Sequence, residues 1–221
     1  MKRKENRKFY LSVEGETEKW YFEHLKTLIN KSEYGGYKIS YNLEIEKNPV
    51  SFVKSVNILS DKAFHIFDYE SNNKEHVAVF NNTLQKIKEA EKLRSEIKYK
   101  IGYSNQSFDL WIIMHKKKLT CLITENSDYL EHINKAYNTN FKNFDKYKQE
   151  DNFKKQILSE ISLKDVFFAI ESAKGIRENN EKNSKKSEKF NGFKYYPDNP
   201  DLTVHECVKE MLSECEFKDE Q

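Results

Sequence analysis

The sequence predicts an α/β protein: a mostly parallel sheet flanked by helices, with a helical second half packed on it. Two observations predict this. Over roughly the first 105 residues, short apolar runs alternate with amphipathic stretches, a spacing at which helical crossovers join parallel strands. Beyond residue 106 the apolar periodicity is that of helices.

The elements follow in order. Residues 9–13 form an apolar run rich in strand formers, broken by Glu14, Gly15, Glu16 and Thr17. From 18 to 30, Tyr21, Phe22, Leu25, Leu28 and Ile29 recur at helical spacing. From 38 to 45, Ile39, Tyr41, Leu43 and Ile45 alternate as in a half-exposed strand. Pro49 opens a short helix with Phe52, Val53, Val56 and Leu59 on one face. Residues 63–67 are a buried strand that runs into a polar loop over 68–73. A long helix over 74–97 and a last strand over 99–103 complete the alternation.

In the second half, 108–115 is apolar nearly all round, which requires a buried helix. Further helices are expected over 126–137, 151–161, 165–177 and 204–214, with basic polar stretches over 140–155 and 179–194. The expected division is an α/β core over 8–105 and a helical part over 106–216. That part should not stand alone, because its buried helix needs neighbours and a parallel sheet needs cover on both faces. The two basic stretches then project as a wall beside the carboxyl edge of the sheet, where lysines offset phosphate charge.

Composition narrows the function classes. Three prolines and six glycines among 221 residues exclude a collagen or a proline-rich tether. No apolar stretch approaches the roughly 20 residues of a membrane helix. The run at 9–13 is too short for a signal-peptide core, so a cytoplasmic location is expected. Cys121, Cys207 and Cys215 are odd in number and form no CxxC, so neither a disulfide framework nor a zinc site is expected. Net charge is +2, and all but four of the cations are lysine.

In an open parallel sheet, ligands bind beyond the carboxyl ends of the strands. Two acidic groups fall there. Glu14 closes the first strand, with Gly15 permitting a tight turn into the helix; Asp68 and Glu70 close the 63–67 strand, two residues apart and on one side. If those strands are neighbours, three carboxylates converge, and a hard divalent cation (Mg²⁺ or Mn²⁺) relieves their repulsion. Taken singly, each acid reads more readily as a cap or a solvated loop residue; it is the joint pattern that points to a site. Asp109 fits a first-turn carboxylate behind an N-capping Ser107, and also a further site residue. His115 ends an apolar helix, where a core role is the ordinary one. Arg177 is the one arginine of the last half, at a helix end or on a phosphate. Lys182, Lys185, Lys186, Lys189 and Lys194 would track a nucleic-acid backbone, with Tyr195 and Tyr196 stacking on bases, or would be solvated surface.

The segments 13–18 (Val-Glu-Gly-Glu-Thr-Glu) and 66–70 (Ile-Phe-Asp-Tyr-Glu) resemble the TOPRIM signature of topoisomerases, primases and OLD-type nucleases. Ser104-Asn105-Gln106-Ser107-Phe108-Asp109-Leu110-Trp111 is similar to the Ser-Asn-x-x-Phe-Glu-x-Trp segment of the RloB family, which takes in AbiLii-like abortive-infection proteins. Residues 199–204 (Asn-Pro-Asp-Leu-Thr-Val) resemble that family's carboxy-terminal Asn-Pro-x-Thr-x-Val segment. Glu70 stands where the signature has aspartate, Tyr69 where many members carry arginine, and Asp109 where the family usually has glutamate.

The resemblance implies a TOPRIM-like fold and a Mg²⁺-dependent nuclease of DNA or RNA in a bacterial anti-phage system, with an AAA/ABC-type ATPase as partner. By the same resemblance Glu14, Asp68 and Glu70 are the catalytic, metal-holding residues. Glu18, Asp109, His115 and Arg177 are further candidates. The departures at 69 and 70 support a second reading: a catalytically degenerate module that binds nucleic acid or the ATPase. A receiver-like signalling domain ranks third. It would want paired acids after the first strand and a lysine after the last, and here a single Glu-Gly and Ser104-Asn105 occupy those places.

Overall fold

The computed structural model describes residues 4–119, 123, 126–198 and 200–217. Cys121 and Asn199 lie outside the described residues. In chain order the elements are β1 (Glu5–Val13), α1 (Glu16–Lys31), β2 (Tyr37–Ile45), α2 (Pro49–Ser55), β3 (Lys62–Tyr69), α3 (Lys74–Leu93), β4 (Lys98–Asn105), α4 (Asp109–Met114), α5 (Asn126–Tyr137), α6 (Phe144–Tyr147) and α7 (Glu150–Asn152). A π turn (Phe153–Ile157) and a 3₁₀ turn (Leu158–Glu160) lead into α8 (Leu163–Lys182), then β5 (Glu188–Phe190), β6 (Phe193–Tyr195), β7 (Asp201–Leu202) and α9 (Val204–Glu214).

The main sheet has the order β2-β1-β3-β4-β7. Its first four strands are parallel, and β7 closes the edge antiparallel to β4. The mixed α/β, Rossmann-like layout expected from the alternation is therefore present. β1 lies directly beside β3, with Val13 opposite Ile66. The strand that ends in Glu14 and the strand that carries Asp68 thus finish side by side.

Alternation along the strands sorts their side chains onto two faces. Leu11, Val13, Phe64 and Ile66 face a core shared with α1, α4, α5, α8 and α9. Tyr10, Phe67, Tyr69 and Tyr103 face a second core built with α2, α3 and Tyr195 of β6. Every residue of α4 is buried, as its all-round apolar sequence requires. The first core runs without a break from the strands of the first half into the helices of the second.

Three local features differ from expectation. The stretch 179–194 is not a loop: α8 continues to Lys182, and a two-stranded hairpin of β5 and β6 follows. Phe190, Phe193 and Tyr195 hold that hairpin to the second core. β7 is a two-residue edge strand, too short to leave a periodic signal. In the stretch 140–155, α6 and α7 form because Tyr147 and Phe153 are buried among aromatic neighbours.

Gly102 is where β4 passes beneath α9. A Cβ there would stand 2.5 Å from Ile66 Cδ1 and 3.2 Å from Cys207 Sγ. Gly102→Ala should therefore lower unfolding stability by about 1–2 kcal/mol, overpacking outweighing the entropy gained from losing a glycine. Denaturant titration checks this: a lower midpoint at unchanged slope is expected. An unchanged midpoint would mean that α9 does not lie so close to the sheet.

Candidate active site at the carboxyl edge of the sheet

The residues after β1 and β3 meet because their strands are neighbours in register. Glu14 Oε2 accepts a hydrogen bond of 3.2 Å from the backbone N–H of Asp68. That contact ties the end of one strand to the end of the next. Gly15 then enters α1, where a Cβ would come within 3.1 Å of Glu18 Oε2. Glycine leaves the space in which the Glu18 carboxylate folds back over the first turn of α1, 7% exposed, against its own backbone N–H. Asp68 is held in turn by the backbone N–H of Phe108, just before α4.

Asp109 opens α4 and is buried. Both of its oxygens are engaged. Tyr147 donates to Oδ1 at 2.8 Å, and Ser107 donates to Oδ2 at 3.0 Å. Lys148 Nζ lies 3.2 Å from Oδ2. Ser107 Oγ also accepts from the Asp109 backbone N–H at 3.2 Å, although Phe108, not Ser107, takes the N-cap position of α4.

Glu14, Glu18, Asp68 and Asp109 lie close enough for their charges to act within one cluster. Burial pushes Glu14 above the usual range, against the Asp68 amide and Lys47, which lower it. Burial raises Glu18 to about 7, with Asp109 and Glu14 adding to the rise. Asp68 is pushed well above the usual range by burial first, then by the charges of Glu18 and Glu14. Burial alone would pull Lys148 down, yet Asp109, Glu18 and Asp68 together hold its pKa above the ordinary lysine value. Ser104 aligns with Asp68 across β3 and β4, and its buried Oγ has no hydrogen-bond partner among the described residues.

The other candidates lie elsewhere. Glu70 sits past the end of β3 with its side chain 61% exposed, paired with His76 at 3.1 Å. It reaches the cluster only through its charge on Glu14. His115 is at the far end of α4 from Asp109, buried between Tyr21 Oη at 3.1 Å and the Trp111 carbonyl at 2.8 Å. Burial lowers it to about 4, so it is a neutral core histidine. Arg177 lies 3.5 Å from the buried Asp201 and donates to the Lys194 carbonyl at 3.2 Å. Asp201 also accepts from the Tyr103 hydroxyl, and burial pushes it up to about 8. These contacts fasten β7 and the hairpin to β4.

Lys182, Lys185, Lys186, Lys189 and Lys194 are exposed on the end of α8 and on the hairpin, where Lys189 and Lys194 stand directly opposite each other. Tyr195 and Tyr196 are each 1% exposed, so the expectation that they stack on bases is corrected: both rings pack inward. An apolar groove beside Leu28, Tyr34, Phe167 and Phe217 lies at the opposite end of α1 from the acids. Lys148 lies in the 140–155 stretch expected beside this edge, but sequence reasoning singled out neither it nor Tyr147, because their partner Asp109 is 38 residues from Tyr147.

The chemistry of the donor set fits a hard divalent cation: the groups are carboxylates, crowded and short of compensating charge. Among the described residues, no three His, Cys, Asp or Glu side chains are grouped to hold a metal ion. Glu14 is turned onto the Asp68 amide, Glu70 onto His76, and Asp109 onto Tyr147 and Lys148.

Glu18 generates a test. Its pKa is about 7 in the folded chain against an ordinary 4.5. A raised carboxyl pKa means stability is lost as pH rises from about 4.5 through 7, by roughly 3 kcal/mol at most. Glu18→Gln mimics the protonated form. In a chelator, the variant should match the parent chain at pH 4.5 and exceed it by 1–3 kcal/mol at pH 8 in denaturant unfolding. A variant that is no more stable at pH 8 would mean that the Glu18 carboxylate is not held buried with its pKa raised.

No curated protein and no solved structure matches the chain. A family model described as RloB-like protein matches residues 9–211, which run from the middle of β1 into α9 and include every acid of the carboxyl edge. The chain belongs to the RloB-like family.

Proposed function

We propose that this RloB-like chain is a divalent-metal-dependent nuclease with a TOPRIM-like site at the carboxyl edge of its sheet. One observation carries the reading. Glu14 and Asp68 end neighbouring parallel strands and are joined by a hydrogen bond from the Asp68 amide to the Glu14 carboxylate. Capping alone gives no reason for two such acids to meet at the place where open α/β sheets bind ligands. On this reading Glu14 and Asp68 hold the cation, Mg²⁺ or Mn²⁺, with Glu70 brought in from its pairing with His76. Bound there, the metal supplies polarisation of a phosphodiester and a lowered pKa for the attacking water.

The chain's own groups supply the rest. Glu18, its carboxyl pushed by burial up to about 7, can hold or release a proton near neutral pH. The Phe108 amide fixes Asp68, and the fully buried α4 behind it keeps that amide in place. The anti-phage setting, the cytoplasmic location, the nucleic-acid substrate and the AAA/ABC-type ATPase partner belong to this proposal and rest on the family resemblance. No described helix is long and apolar enough to cross a membrane.

A second reading has an observation of its own. The exposed Glu70 paired with His76, and the lack of a three-acid group among the described residues, favour a degenerate module that binds nucleic acid or the ATPase without cleaving. Asp68→Asn separates the two. The nuclease reading expects Mn²⁺ affinity, measured by calorimetry, to fall at least tenfold and phosphodiester hydrolysis to be lost. Circular dichroism should be unchanged and the melting temperature no lower, since one crowded charge has gone. A parent chain that neither binds Mn²⁺ nor cleaves would support the degenerate reading.

A further inference from the structure

We propose that Lys148 is the cation that meets the substrate's phosphate at this site, and that Asp109 is its positioning residue rather than a metal ligand. The inference rests on the nuclease reading of the carboxyl edge and adds the residue that lets a polyanion approach it.

Geometry carries the argument. The ion pair between Lys148 and Asp109 spans the boundary of the protein: the aspartate side chain is 2% exposed and the lysine side chain 44%. The lysine therefore links the buried acid to the surface beside the acidic cluster, anchored from below. Its backbone is fixed next door. Tyr147 is buried, donates to Asp109, and packs against Phe141, Phe144 and Phe153 at ring separations of 5.7, 6.0 and 5.5 Å. Asn143 caps the turn below, accepting from the Lys146 backbone N–H at 2.9 Å. The side chain of Lys148 is thus delivered to one place by a rigid support, its head against the buried Asp109 and part of its length exposed at the surface.

Charge completes it. Four carboxylates at one edge repel a phosphodiester, and a metal neutralises only part of that field. Lys148 pairs directly with one carboxylate, and its charge acts on Glu18 and Asp68 as well. Two lysines at the hairpin pair instead with their own surroundings, Lys186 with Glu188 and Lys194 with Glu181. Asp109 has both oxygens engaged by Tyr147, Ser107 and Lys148, so it orients the lysine rather than a metal ion.

The test uses the full chain, Lys148→Met and Lys148→Arg, with melting temperatures confirming folding. The probe is a fluorescent 20-nucleotide single strand, in DNA and RNA forms, titrated with Ca²⁺ present. Lys148→Met should bind it at least tenfold more weakly. Its slope of log affinity against log salt should shrink by about 0.7, one phosphate contact fewer. Lys148→Arg should restore both, and Mn²⁺ affinity of Lys148→Met should be equal to or tighter than that of the parent. Oligonucleotide binding and slope unchanged in Lys148→Met, or no binding by the parent chain, would overturn the proposal. So would a tenfold loss of Mn²⁺ affinity, which would make Lys148 a strut for the acids. Failure of the parent chain to bind Mn²⁺ is a separate result: it overturns the metal-site reading, while the oligonucleotide arm still decides Lys148.

Discussion

Negative charge held below the protein surface, at the point where β1 and β3 end, is the constraint on which the rest of the site depends. Carboxylates that close repel one another and lose water, so each is tied to something. Glu14 takes the Asp68 amide, Asp68 takes the Phe108 amide, Glu18 takes its own, and Asp109 takes a phenol, a hydroxyl and an ammonium. Even so, Glu14, Glu18 and Asp68 titrate above their ordinary range. A site that keeps its acids uncomfortable without a cation is one that gains when a cation arrives.

The fold supplies the stiffness this requires. Two apolar cores clamp the sheet, one under α1, α4, α5, α8 and α9, the other under α2, α3 and the hairpin. Both reach the carboxyl edge. On one face α4 brings Asp109 and the Phe108 amide. On the other, Tyr69 turns away from the acids and packs its ring on Phe80 and Tyr195 at 4.9 and 5.4 Å. That packing explains a tyrosine between Asp68 and Glu70: its position in β3 faces the second core, where an aromatic ring is worth more than a charge. β7, Asp201 and Arg177 seal the last strand on the same edge.

Much of this was legible in the sequence, for identifiable reasons. The four parallel strands and their helices announce themselves through runs such as 9–13 and 63–67, because a strand buried on both faces must be apolar throughout. Glu14 and Asp68 could be placed because strand ends in such sheets are where ligands bind. What stayed hidden was non-local or brief. The pairing of Asp109 with Tyr147 and Lys148 joins residues whose local sequences carry no sign of each other. The β5–β6 hairpin and β7 are three and two residues per strand, below the length at which alternation can be read. Arg177, taken as a phosphate candidate, is spent on Asp201, and Tyr195 and Tyr196, taken as stacking platforms, are buried. In each case a polar or amphipathic side chain was claimed by the core from a part of the chain that sequence spacing could not bring near.

The central claim is that the carboxylates at the ends of β1 and β3 share a divalent cation. Anomalous diffraction from crystals of the chain grown with Mn²⁺, recorded at the manganese edge, tests it most directly. The account predicts a strong peak between Glu14 and Asp68, with carboxylate oxygens at about 2.0–2.3 Å and the Glu14 side chain released from the Asp68 amide. An empty carboxyl edge at saturating Mn²⁺, with Glu14 still hydrogen-bonded to Asp68, would contradict it.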